Sequence, residues 1–208
     1  MTSTPSTRPR RSALYMPGAN ARALDKARTL DADCLLLDLE DAVAPEAKAE
    51  ARDLVCAALR EGGYGASETI VRINALDTPW GVEDLVALHN LADTQSPNAV
   101  LAPKVSTPEE VAALQKAIPE ACDLWIMIET PQAIFNLQAL AACAQTTRLT
   151  TFVMGTNDLA KEMRASLVPG RAPLLASLTL SLLAARQFGL TLLDGVYNHI
   201  SDAPGFEA

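Results

Sequence analysis

From residue 13 onward the chain repeats one unit: a short continuous apolar run, a polar turn, then apolar residues at helical spacing. The runs read as strands over 13–17, 34–40, 69–74, 99–105, 123–129, 149–155 and 190–196. Cys34-Leu-Leu-Leu-Asp-Leu-Glu40 is almost wholly apolar, as a strand buried on both faces must be. Between the runs, helices are expected over 21–30, 45–60, 80–90, 108–118, 131–144 and 174–188. Asn20 offers an N-cap to the first. Thr107-Pro108-Glu109-Glu110 combines a cap, a proline at the first helical position and acids in the first turn. Pro131 opens another helix, Gly189 closes the last, and 168–173, rich in proline and glycine, reads as a loop.

Strands alternating with helices imply βαβ units and a parallel sheet. Two closures compete, an open doubly wound sheet and a (β/α)8 barrel. No G-x-G-x-x-G follows the first strand and no phosphate-binding P-loop is present, which counts against the open sheet. Polar residues at many strand ends (Glu40 and Asp41, Arg72 and Asn74, Lys104, Glu129, Asp158) suit the mouth of a barrel. The expected fold is therefore α/β, a TIM (β/α)8-type barrel, incomplete because about seven strands fit into 208 residues. A disordered N-terminal tail is expected over 1–10, with its Arg8 and Arg10, and the barrel over 11–208.

Composition narrows the function. A net charge of −8 argues against general affinity for nucleic acid. The longest apolar stretch, 172–193, is interrupted by Arg186, Gln187 and Gly189, short of the ~18–20 residues that span a bilayer. No apolar segment follows the arginine-rich start, so a secretory signal is not expected and a soluble, cytoplasmic protein is. Cys34, Cys56, Cys122 and Cys143 form no C-x-x-C pair and read as buried, reduced thiols. His89 and His199 are spaced with neither cysteine nor each other, which leaves no zinc site. No G-x-S-x-G elbow suggests a serine nucleophile, and Trp80 and Trp125 read as packing residues.

The candidate chemistry lies in two acids. Glu129 follows one apolar run and Asp158 another, and at the carboxyl ends of neighbouring parallel strands their oxygens would suit Mg²⁺. Either acid could instead only stabilise the helix that begins beside it. Lys104 offers an amine for Schiff-base chemistry; beside two metal-ready carboxylates it reads as a partner to nearby acids.

Seven motifs then follow in order: Arg11-Ser-Ala-Leu-Tyr-Met-Pro-Gly18, Asp38-Leu-Glu-Asp-Ala-Val43, Val71-Arg-Ile-Asn74, Pro103-Lys104, Ile128-Glu-Thr-Pro131, Gly155-Thr-Asn-Asp-Leu159 and Asp194-Gly-Val196. In these the chain resembles citrate lyase β-subunit-like proteins of the HpcH/HpaI aldolase superfamily, which include malyl-CoA and citramalyl-CoA lyases. The resemblance implies a TIM barrel assembled as a homo-trimer or hexamer. It also implies Mg²⁺ held by Glu129 and Asp158, and cleavage or formation of a carbon–carbon bond in a 3-hydroxyacyl-CoA ester. By the same resemblance Arg72 meets the substrate's carboxylate or carbonyl oxygen, and amides around Gly155, Thr156 and Asn157 cradle the 2-oxo-acid carboxylate. Glu40 and Asp41 hold metal-bound water, or only hydrogen-bond at the mouth. The guanidinium of Arg72 suits an anionic substrate through its planar, permanent charge. Family members continue through an eighth strand and a capping segment that helps hold coenzyme A and carries an acid/base in some of them. This chain is expected to lack both, ending at Ala208. The alternatives are a metal-dependent aldolase acting on free hydroxy-oxo acids, and a truncated, inactive paralogue that binds a 2-oxo acid.

Overall fold

The computed structural model describes residues 8–207 and carries seven strands. These are β1 (Ala13–Pro17), β2 (Cys34–Asp38), β3 (Glu68–Arg72), β4 (Ala99–Ala102), β5 (Asp123–Ile128), β6 (Leu149–Met154) and β7 (Thr191–Leu193). They lie in one sheet in chain order, and every neighbouring pair is parallel. β1 and β7 form its two edges, so the architecture is an incomplete TIM-like α/β barrel. Between the strands come α1 (Ala21–Ala27), α2 (Lys48–Glu61), α3 (Pro79–His89), α4 (Pro108–Ala117), α5 (Pro131–Phe135), α6 (Leu137–Ala142), α7 (Thr156–Glu162) and α8 (Leu175–Gln187); α9 (Ala203–Glu207) ends the described chain. No helix of the described residues is long and apolar enough to cross a membrane.

The apolar runs carry no visible alternation because both strand faces are buried. Successive side chains nevertheless point to opposite sides, and this sorts them into two cores. Cys34, Leu36, Ile70, Leu101, Trp125, Met127 and Val153 pack with one another inside the curve of the sheet. Leu35, Leu37, Val71, Val100, Ile126 and Phe152 face the other way, onto Leu24, Val55, Leu85, Leu114 and Leu140 of the helices. With two aromatics, Trp125 and Phe152, among the largest fully buried side chains, the rest is leucine and isoleucine packing.

Helix starts follow the caps. Asn20 accepts from the Ala23 N–H, Thr78 from Gly81, Thr130 from Ala133, and Thr107 with Glu110 closes a full capping box. One expectation is corrected, and one short helix lies outside the spans expected. The single helix over 131–144 breaks at Asn136, whose backbone leaves helical geometry (φ −104°, ψ 7°) while its side chain donates to the Ser106 carbonyl at 2.8 Å. After β6 the chain turns directly into α7, a helix hidden by the weak helix formers Gly155-Thr156-Asn157-Asp158.

Of the tail expected over 1–10, residues 1–7 lie outside the described part, and Arg10 is a barrel residue. Its side chain is 2% exposed and makes a two-pronged pair with Glu68, 2.7 Å at each prong. Nη1 donates to Thr151 and Thr191 at 3.2 and 3.0 Å, and the guanidinium lies 4.8 Å above the Trp125 ring. These groups stand at or near the amino-terminal ends of β3, β5, β6 and β7, so Arg10 closes the floor of the barrel, opposite the mouth.

Candidate metal and substrate site at the barrel mouth

The carboxyl ends of the strands surround a cavity of about 370 Å³, lined by Tyr15, Asp38, Asp41, Arg72, Met127, Glu129, Gly155, Thr156, Asn157, Asp158 and Asp194, among others. Its wall is built around a residue that the motif reading included but gave no role. Asp38, the last residue of β2, grips Arg72, the last residue of β3, with Nε–Oδ1 2.7 Å and Nη2–Oδ2 2.6 Å. The same carboxylate accepts the Glu40 and Ala42 N–H groups at 2.9 and 3.1 Å, which shapes the loop after β2. The available signal was position: Asp38 pairs in register with Arg72 across adjacent strands.

Arg72 is buried, and burial alone works against its charge. The hydrogen bonds and charge of Asp38, followed by Glu40, outweigh that and hold the guanidinium above its ordinary value. Its remaining Nη1 lies 2.9 Å from Glu40 and 3.6 Å from Asp41, and the Tyr15 ring stands 4.9 Å away. Burial pushes the Tyr15 phenol up to about 12, so it stays neutral. Arg72 is thus a fixed cation at the cavity wall, anchored by Asp38. Asn74, another polar strand-end residue, turns away and ties α3 through Asp84 at 2.7 Å.

Glu129 follows β5 directly and is 2% exposed. Desolvation pushes its carboxyl up to about 7, the Lys104 N–H pulling the other way and the charges of Glu40 and Asp158 adding to the rise. Asp158 does not end a strand as expected; it lies in the first turn of α7, where a helix start favours an acid. Lys104 links the acids. Its backbone N–H donates to Glu129 at 2.7 Å, and its ammonium sits 3.1 Å from Glu40 and 3.2 Å from Asp158. Burial raises the carboxyl of Glu40 as well, and its Oε2 is held by its ion pair with Arg72 Nη1.

The other expected residues also meet here. Gly155 caps α7, and Thr156 and Asn157 begin it. The Asn157 side chain is engaged with Asn198 at 3.0 and 3.2 Å. Asp41 is largely exposed at the rim, its side chain 65% accessible.

The residues fit a divalent cation. Glu40 and Asp158 already hold the Lys104 ammonium between them, and Glu129 meets the same residue through its N–H, so the local field favours positive charge. The absence of a side chain at Gly155 keeps the space beside Glu129 open, since a Cβ there would lie 2.5 Å from the Glu129 Cβ and closer still to its Oε2. Among the described residues no three His, Cys, Asp or Glu side chains gather as a metal cluster; Mg²⁺, which keeps several waters, needs fewer. Gly155→Ala is therefore expected to displace Glu129 and lower stability by about 1–3 kcal/mol, read as a fall in melting temperature together with weaker Mg²⁺ binding.

Known proteins share this architecture. The chain is 46% identical over 200 residues to the (3S)-malyl-CoA thioesterase of Cereibacter sphaeroides (strain ATCC 17025 / ATH 2.4.3), covering 96% of this chain and 67% of that protein. It is 35% identical to the citrate lyase subunit beta of Escherichia coli (strain K12), over 96% of this chain and 68% of the relative. Among solved structures, protein CitE from Mycobacterium tuberculosis in complex with magnesium and acetoacetate superposes with a TM-score of 0.78 at 27% identity, covering 95% of this chain and 79% of that one. Residues 11–208 match the pattern of one family throughout, and with the strand-end acids and the Asp38–Arg72 pair on a common mouth, the chain belongs to the HpcH/HpaI aldolase/citrate lyase family.

Proposed function

We propose that this protein is a Mg²⁺-dependent carbon–carbon lyase acting on a 3-hydroxyacyl-CoA ester, which it splits into a 2-oxo acid and an acyl-CoA, or joins in reverse. The observation that carries the reading is the convergence of Glu129, Asp158 and the anchored Arg72 on one cavity. Glu129 and Asp158 would hold the ion, which when bound supplies Lewis-acid stabilisation to the hydroxyl and carboxylate oxygens of the substrate. In the cleavage direction the bond between C2 and C3 of the acyl chain breaks. The hydroxyl gives up its proton as it becomes a carbonyl, and the bonding pair passes to the thioester as an enolate that is then protonated.

The chain's own groups serve the charges that this creates. Arg72 is held charged at every working pH, and Asp38 fixes its plane so that no reorganisation accompanies the reaction. The amides of Thr156 and Asn157 at the start of α7 would present N–H groups to the carboxylate of the oxo acid, whereas the Gly155 N–H is already taken by the Ile128 carbonyl at 3.1 Å. Glu40 and Asp41 stand beside Arg72, where they would order water around the ion. Assembly as a homo-trimer or hexamer belongs to the same reading.

A second reading is thioester hydrolysis. The relative at 46% identity is named a thioesterase, and the two reactions share the ester. Incubation with (3S)-malyl-CoA and Mg²⁺ distinguishes them. Glyoxylate with acetyl-CoA marks the lyase, malate with free CoA thiol the hydrolase. Turnover of free hydroxy-oxo acids alone would mark the aldolase. Stabilisation by Mg²⁺ and a 2-oxo acid without turnover would mark an inactive binder.

A further inference from the structure

Lys104 touches both proposed metal ligands through different atoms. Its backbone lies in the left-handed region, φ +56°, which non-glycine residues rarely adopt, and in that conformation its N–H reaches Glu129 at 2.7 Å. The side chain then crosses the mouth, with Nζ 3.2 Å from Asp158 Oδ2 and 3.1 Å from Glu40 Oε1. Such strain persists only where the surroundings over-determine it, and here three acidic side chains do. The ammonium end is also free to leave: the Lys104 side chain is 48% exposed and that of Asp158 31%. The main-chain contact to Glu129 does not depend on it.

From this geometry we infer that the Lys104 ammonium is a built-in counter-ion of the metal-free site, which a divalent cation must displace from Asp158 in order to bind. The inference rests on Glu129 and Asp158 being the metal ligands. Without an ion, the ammonium keeps Glu40 and Asp158 from repelling each other and preserves the open mouth. When an ion arrives, two cations compete for Asp158, so the affinity is lower than the carboxylates alone would give. Lys104 is thus a positioning residue that sets the metal affinity.

Calorimetric titration of Mg²⁺ into the wild type, Lys104→Met, Lys104→Gln and Asp158→Asn tests this, with melting curves taken with and without the ion. Both Lys104 variants are expected to bind Mg²⁺ about two- to fivefold more tightly, the scale of one half-exposed ion pair. They are also expected to melt below the wild type without metal, with the difference narrowing at saturating Mg²⁺. Unchanged or weaker affinity in the Lys104 variants, with binding lost in Asp158→Asn, overturns the counter-ion and leaves the metal site standing. Unchanged affinity in Asp158→Asn overturns the metal site and the counter-ion together. Lys104→Gln keeps a polar tip of similar reach, so the comparison survives if Lys104→Met does not fold.

Discussion

Glu129→Gln is expected to weaken Mg²⁺ binding by at least about a hundredfold and to abolish turnover of the CoA ester, while the metal-free protein becomes more stable above neutral pH. The two effects have one cause. Glu129 is buried beside Glu40 and Asp158, and desolvation lifts its carboxyl from 4.5 to about 7. A carboxyl raised in the folded state favours the fold when protonated. That contribution is complete below about pH 4.5 and is lost as pH rises through 7. Its full size is on the order of 3 kcal/mol. Glutamine is neutral at every pH and removes this slope, so melting curves of wild type and variant without metal should draw together near pH 5 and separate by pH 8. Metal binding requires the carboxylate, so the wild type's Mg²⁺ affinity should climb with pH up to about 7 and level off above it. A wild type whose Mg²⁺ affinity ignores pH, or a variant that binds as tightly, contradicts the assignment.

Arg10→Met is expected to cost about 3–5 kcal/mol, the scale of leaving a buried charge without its partner, and to lower the melting temperature by roughly 10 °C or more. Glu68 is 5% exposed, and Arg10 supplies both of its charged hydrogen bonds. Much of the loss should return in the double variant Arg10→Met/Glu68→Gln, because that removes the stranded charge. Arg11 serves as the control: it pairs with Asp33 at 2.8 Å, but its side chain is 78% exposed, and Arg11→Met should shift the melting curve only slightly. A similar, small shift for both arginines would mean that the floor of the barrel does not depend on Arg10.

These residues also mark where the sequence is readable. Strands such as β2 stand out because burial on both faces forces an unbroken apolar run, and the turn chemistry of Thr107 and Asn20 is local. Glu129 was legible for the same reason, an acid placed directly after such a run. Arg10 was not, because an arginine in a polar stretch resembles a solvated tail until Glu68, 58 residues away, is folded against it. Asp38 was hidden by its neighbours Glu40 and Asp41, and only the register of β2 on β3 selects it as the anchor of Arg72. The break at Asn136 depends on the Ser106 carbonyl, a partner that helix periodicity cannot reveal. Asp158 lines the mouth cavity, but its place on α7 rather than at a strand end follows from tertiary packing of residues with poor helix propensity.

Soaking Mn²⁺ into crystals and locating it by anomalous scattering tests the two-carboxylate centre most directly. One strong peak is expected at the barrel mouth, about 2.1 Å from an oxygen of Glu129 and from an oxygen of Asp158. The Lys104 ammonium is expected to have moved off Asp158. An ion bound elsewhere, or held by neither acid, would contradict the two-carboxylate centre.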